Sequence, residues 1–243
     1  MNILAIGNSF SQDSCRYLYN IAESAGTPLT VVNLCIGGCS LAMHAENAQK
    51  HLEAYDYELN GGSAIKRVTI EEVLRERHWD AVTIQQASHF SGQAETYEPY
   101  GTELIECIKK YAPGAKIYFH MTWAYEVDSN HSCFAWYNSS QQEMYARIQD
   151  ATEGFAKSHG IDIIPTGKVI QALRSRPEFD YKNGGISLCR DGFHLSMTYG
   201  RFAAAATWYQ RLAGDISLSS FLPEDTDCTL IRIIEQTVAD VVK

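Results

Sequence analysis

A chain of 243 residues with 45% hydrophobic content can bury a sizeable core, and nothing in its composition calls for more than one domain over residues 1–243. Its formal charge of −9 and pI near 5.3, with no cluster of Lys or Arg, speak against nucleic acid or anionic membrane as the main partner and suit a neutral or cationic small substrate. The seven cysteines are an odd number scattered along a chain too large to need disulfide staples, so reduced, packed thiols are expected.

In chain order, short apolar runs alternate with longer amphipathic ones, the pattern of a parallel sheet covered by helices on both faces. Residues 3–6 predict the first strand. Cys15, Leu18, Ile21, Ala22 and Ala25 recur at helical spacing and predict a helix over 12–25, stopped by Gly26. Residues 29–34 predict a second strand that runs into the glycine-containing loop 35–40, and 41–52 read as helical. The polar segment 55–63 is compatible with an excursion or a small hairpin. Thr69 and Glu72 form a capping box ahead of a helix, and 81–84 predict the third strand.

Further along, a helix over 100–111 ends at Pro113-Gly114, and 116–121 predict the fourth strand, followed by an aromatic-rich loop over 122–137. Ser140 and Glu143 cap a long helix closed by Gly160, and 161–164 predict the fifth strand. A short helix near 169–173, an irregular stretch, a helix over 197–212 and a terminal helix over 231–242 complete the reading. The expected fold is therefore a single three-layer α/β domain with about five parallel strands. No run of 18 apolar residues occurs, which favours a cytoplasmic location, or a secreted or periplasmic one if a signal peptide has been removed.

Two short motifs carry chemistry. Gly7-Asn8-Ser9-Phe10-Ser11 puts a serine hydroxyl on the turn after the first strand, and Asp191-Gly192-Phe193-His194 offers a carboxylate and an imidazole from one loop. Each alone is also an ordinary turn or helix cap, with Ser9, Asp191 or Ser196 doing no more than capping. Together they form the inventory of a serine nucleophile, a base and an orienting carboxylate. Position 11 is Ser rather than Gly, which departs from the nucleophile elbow of α/β-hydrolases, and a Gly-x-Gly-x-x-Gly dinucleotide turn is absent. Cys35 and Cys39, or Cys189 and His194, lack further ligands at zinc spacing, so neither a metal nor a cofactor is expected.

With its first-strand serine, the glycines Gly37 and Gly38 after the second strand and the late Asp-x-x-His, the chain resembles the SGNH (GDSL-type) serine hydrolases. The Gly-Asn-Ser-Phe-Ser opening is similar to a bacterial branch known mainly as a domain of unknown function. The resemblance covers roughly residues 1–212 and implies an esterase with Ser9, Asp191 and His194 as its triad. It also implies an oxyanion hole from the backbone N–H groups of Ser9 and Gly38 and a side-chain amide. Two departures stand out. Asn8 replaces the usual Asp, and Gln85-Gln86-Ala87-Ser88-His89 replaces Gly-x-Asn-Asp after the third strand. Gln86 is the expected surrogate donor, with Gln85 or His89 as alternatives.

His89 and His120 lie at strand ends, whereas the other histidines outside the motif read as surface or helix residues. Gln85, His89, Trp123 and Tyr125 are candidate substrate-binding residues, and aromatic rings with polar neighbours suit a sugar better than a long acyl chain. The expected activity is removal of an acetyl or other short acyl group from a carbohydrate ester. A lipase or thioesterase of the same fold, or a catalytically weakened carbohydrate-binding protein, are the competing readings. Nothing in the sequence specifies an oligomeric state.

Overall fold

Four apolar runs sit at the centre of one sheet because each is largely buried on both faces, as strands covered by helices on either side must be. The computed structural model describes residues 1–243 and places β1 (Asn2–Gly7), β2 (Thr30–Cys35), β3 (Tyr55–Leu59), β4 (Ala64–Val68), β5 (Ala81–Ile84), β6 (Lys116–His120) and β7 (Asp162–Ile164) in a seven-stranded sheet. The strand order is β4-β3-β2-β1-β5-β6-β7. β1 pairs in parallel with β2 and β5, with Gly7 opposite Cys35 and Ile6 opposite Ile84, and β5, β6 and β7 continue in parallel. Segment 55–68 is an antiparallel hairpin on the β2 edge, which takes the count from the expected five strands to seven.

Alternation along β1 sends Ile3 and Ala5 to one face and Leu4 and Ile6 to the other, so two separate apolar cores form. The first is covered by α1 (Ser9–Cys15), α2 (Leu18–Ser24), α7 (Thr166–Arg174), α8 (Tyr199–Leu212) and α9 (Cys228–Val241). The second is covered by α3 (Leu41–Gln49), α4 (Ile70–Glu76) and α5 (Tyr100–Tyr111). The long α6 (Gln141–His159) contributes to both cores, Met144 and Ile148 to the first and Ala151 and Phe155 to the second. Gly200 to Tyr209 are all buried, because α8 is enclosed rather than lying on the surface.

The helix expected over 12–25 is two helices, and the first begins earlier, at Ser9. The break at Arg16 and Tyr17 coincides with the hairpin tip: a Cβ on Gly61 would lie 2.3 Å from the Arg16 carbonyl oxygen, and Arg16 Nη1 donates to Gly61 O at 2.9 Å.

The five parallel strands, taken by themselves, run in the order second, first, third, fourth, fifth. The connection from β1 leads to β2 on one side and that from the adjacent β5 leads to β6 on the other, which opens a crevice at the carboxyl ends of β1 and β5, the place where open α/β sheets bind ligands. Ser9 follows β1 at that point. No helix is long and apolar enough to cross a membrane.

Candidate active site

The turn that carries Ser9 is held by Asn8. Its Oδ1 caps α1 by accepting from Phe10 N at 3.0 Å and also accepts from Gln85 Nε2 at 2.7 Å, while its Nδ2 donates to Cys39 O at 2.9 Å. One side chain thus ties the serine turn to the β5 loop and to the glycine loop after β2. A carboxylate at position 8 could not donate to Cys39 O, which gives a physical reason for Asn in place of the usual Asp. Gly7 is required by crowding: a Cβ there would lie 2.4 Å from Ser11 Oγ and 3.0 Å from Gln85 Cδ.

The Asp-His loop is a closed turn. Cys189 and Leu195 form a β-bridge, and Arg190 N donates to His194 O at 2.9 Å. Gly192 has φ +84°, and a Cβ on it would sit 2.9 Å from Ser129 Cα, so both backbone and space demand glycine. Neighbouring residues latch the loop: Glu126 N donates to Gly192 O at 2.7 Å, and Trp123 Nε1 donates to Phe193 O at 2.7 Å.

From this turn His194 Nε2 lies 2.9 Å from Ser9 Oγ, and His194 Nδ1 lies 2.7 Å from Asp191 Oδ2. Asp191 Oδ1 also accepts from the backbone N–H groups of His194 at 2.8 Å and Phe193 at 3.2 Å. Burial pushes the Asp191 carboxyl up, but these hydrogen bonds from His194 and Phe193 outweigh it and hold the group below the usual carboxylate range. An ionised Asp191 keeps the proton on Nδ1 and leaves Nε2 free to accept from the serine hydroxyl.

A second set of residues supports the arrangement of Ser9, His194 and Asp191 and has no motif in the sequence. Asp13, one helical turn after Ser9 and fully buried, accepts from Arg201 Nε at 2.7 Å, from Arg190 Nη1 at 3.0 Å and from Leu195 N at 2.9 Å. Arg190 Nη1 also donates to Leu195 O. The helix that carries Ser9 is thereby clamped to the loop that carries His194. Behind the serine turn, buried His120 bonds through Nδ1 to Gln85 Oε1 at 2.7 Å and through Nε2 to Thr166 Oγ1 at 3.1 Å, and burial brings its pKa down to about 3. A strand-end histidine was the only sequence signal for this chain of bonds.

The expectation for Gln86 needs correction. Its Nε2 donates to Thr96 O and Thr96 Oγ1, both at 3.1 Å, and its Oε1 accepts from Leu41 N and Ala87 N. Both amide hydrogens are committed to joining the β5 loop to α3, so neither is left for an oxyanion. Gln85 is likewise buried and structural, bonded to Asn8 and His120. Trp123 and Tyr125 are fully buried, Trp123 stacked on Phe10 at 4.2 Å and Tyr125 bonded to Ser88 Oγ at 2.9 Å, so they form the floor of the loop rather than a ligand surface. His89 is half-buried among Phe90, His131 and Trp136. Gly38 is exposed, has φ +66°, and its N–H bonds to no group of the chain. All seven cysteines are unpaired, and burial pushes Cys39 up to about 12.

The single α/β domain, with its mostly parallel seven-stranded sheet between helices, has the SGNH-like fold. The chain belongs to the family described as Domain of unknown function (DUF4886), whose model matches residues 2–240. It is similar to a DUF4886 family protein of known crystal structure from Bacteroides uniformis, at 34% identity and TM-score 0.92, over 100% of this chain and 94% of that one. A candidate SGNH hydrolase from Slackia heliotrinireducens shares 21% identity at TM-score 0.56, over 86% and 97% of the two chains. An acetylxylan esterase from Geobacillus stearothermophilus shares 12% identity at TM-score 0.54, over 86% and 92%. No protein of the curated set matches the sequence.

Proposed function

We propose that the protein is a serine esterase that removes an acetyl or other short acyl group from a carbohydrate ester through an acyl-enzyme on Ser9. The observation that carries this reading is the hydrogen-bonded series Ser9 Oγ, His194 Nε2, His194 Nδ1 and Asp191 Oδ2, at 2.9 and 2.7 Å. His194 takes the Ser9 proton as the oxygen attacks the ester carbonyl, Asp191 stabilises the imidazolium, and the proton then passes to the leaving alcohol. Water deprotonated by the same imidazole releases the acid. The developing oxyanion is met by the N–H groups of Ser9 and Gly38. With Gln86 engaged elsewhere the hole has two backbone donors, and one missing donor raises a barrier of this kind by about 3 kcal/mol. Turnover is therefore slow for a triad enzyme.

The fold likeness to an acetylxylan esterase and to a family 3 carbohydrate esterase from Clostridium thermocellum is compatible with a sugar ester. The loops beside the Asp-His turn favour it as well: the cavity next to Asp191, of about 430 Å³, is lined by Asp128, Asn130, Ser187 and Arg190. The test is a series of p-nitrophenyl esters of two to ten carbons, run with wild type and Ser9→Ala. Activity confined to the shortest esters, and lost by roughly 1,000-fold or more in Ser9→Ala, is expected. Undiminished hydrolysis by Ser9→Ala refutes the reading, and an optimum at long chains transfers it to a lipase or thioesterase.

A further inference from the structure

Of the four tryptophans, three are sealed in the cores, Trp79 at 1% exposure and Trp123 and Trp208 at 0%, whereas Trp136 is 46% exposed. An indole left in water on a mobile tip would mean little, but this one is held firmly. The 3₁₀ turn Ser132–Tyr137 is pinned by Tyr137 OH donating to His89 O at 2.8 Å and by Gly92 N donating to Tyr137 OH at 3.1 Å. Phe90 stacks on the Trp136 ring at 5.9 Å, and His89 meets its edge at 6.1 Å. From there the rings continue toward the catalytic loop: His89 to His131 at 6.2 Å, His131 to Phe193 at 5.0 Å, and Phe193 to His194 at 4.2 Å.

We infer that Trp136, Phe90, His89 and His131 form a stacking surface for the sugar rings of the alcohol part of the ester, extending the site outward from His194. This rests on the esterase reading for its direction, since the alcohol is the part of the substrate that leaves on the His194 side. Flat rings offer a pyranose an apolar face at little entropic cost, because they are already fixed. The two imidazoles supply what a bare aromatic patch lacks. His89 makes no hydrogen bond through its ring and His131 uses only Nδ1, which accepts from Cys133 N, so ring nitrogens remain for sugar hydroxyls. Burial lowers the pKa of both, helped by His131 beside His89 and by His194 beside His131, so each is neutral at pH 7: His89 can donate through one ring nitrogen and accept through the other, and His131, whose Nδ1 already accepts, donates through Nε2. A long acyl chain needs an enclosed apolar slot, and this surface is open and interleaved with polar groups.

Because the other three tryptophans are buried, Trp136 reports its own occupancy. The experiment is iodide quenching of tryptophan fluorescence in the Ser9→Ala protein, titrated with xylohexaose, with cellohexaose and, separately, with decanoate. Reading binding rather than turnover, it succeeds or fails independently of the ester assay above. One of the hexasaccharides is expected to protect the fluorescence from iodide. Calorimetry should show its Kd raised about tenfold in Trp136→Ala and within about twofold of the parent in Trp136→Tyr. Protection by decanoate alone, protection by none of the three, or equal binding by Trp136→Ala each overturns the inference.

Discussion

Replacing Asp13 by Asn tests whether the helix that carries Ser9 and the Asp-His loop are one mechanical unit. In the native protein one carboxylate oxygen accepts from Arg201 Nε and Arg190 Nη1, and the other from Leu195 N and Arg190 Nη1. An amide of the same shape has one accepting oxygen. In either orientation its NH₂ faces a donor, the Leu195 N–H or the Arg201 Nε–H, and both guanidinium groups lose their anion. Arg201 is 10% exposed and Asp13 not at all, whereas Arg190, at 30%, is partly relieved by water. Breaking a buried pair by removing one partner costs about 3–5 kcal/mol, and the solvated Arg190 puts this case near the lower bound, at about 3 kcal/mol. For a chain of this length that lowers Tm by roughly 6–12 °C. Thermal unfolding followed by circular dichroism measures it, and turnover below the transition should fall as well, because the residue after His194 is anchored on Asp13. A Tm within about 2 °C of wild type would refute the argument that this network holds the site together.

Asn8→Asp, which restores the residue usual in related hydrolases, removes the donor to Cys39 O and sets a carboxylate against that carbonyl. Loss of about 1.4 kcal/mol of positioning lowers kcat roughly tenfold, measured on p-nitrophenyl acetate, and an unchanged kcat would show that the glycine loop does not depend on Asn8. The buried His120, with its pKa taken down to about 3, stays neutral in the folded protein while the unfolded chain binds a proton below about pH 6.5. Its contribution to stability is therefore complete above pH 6.5 and is lost as pH falls toward 3, at about 1.4 kcal/mol per pH unit. Urea unfolding between pH 7 and 4 should show a slope shallower by that amount in His120→Gln, and parallel slopes would contradict it.

The parallel core was legible because strands buried on both faces are written as apolar runs, and residues 81–84 are a strand with the expected bounds. The edge hairpin was legible only as one of two options for 55–63, because four of the five β4 residues are exposed and no alternation marks them. Asn8, Ser9, Asp191 and His194 stand out in the sequence because each motif is local, and the structure brings the side chains of Ser9, His194 and Asp191 into hydrogen-bonding distance. Gln86 misled because spacing along a loop after a strand does not tell which of two adjacent amides turns inward, and here both do. Asp13, Arg190 and Arg201 left no local signal, since the pairing spans 177 and 188 positions. The aromatic loop was recognised as a group, but the choice of Trp123 and Tyr125 over Trp136 depended on burial, which composition does not reveal.

The central claim is that Ser9 is a nucleophile activated by His194, and covalent trapping tests it most directly. Wild-type protein treated with a fluorophosphonate should gain the mass of one label per chain, on the peptide carrying Ser9, with ester hydrolysis lost in step. His194→Ala should label far more slowly, because the serine then has no base to take its proton. Label on another residue, or esterase activity that survives full modification of Ser9, would contradict the account.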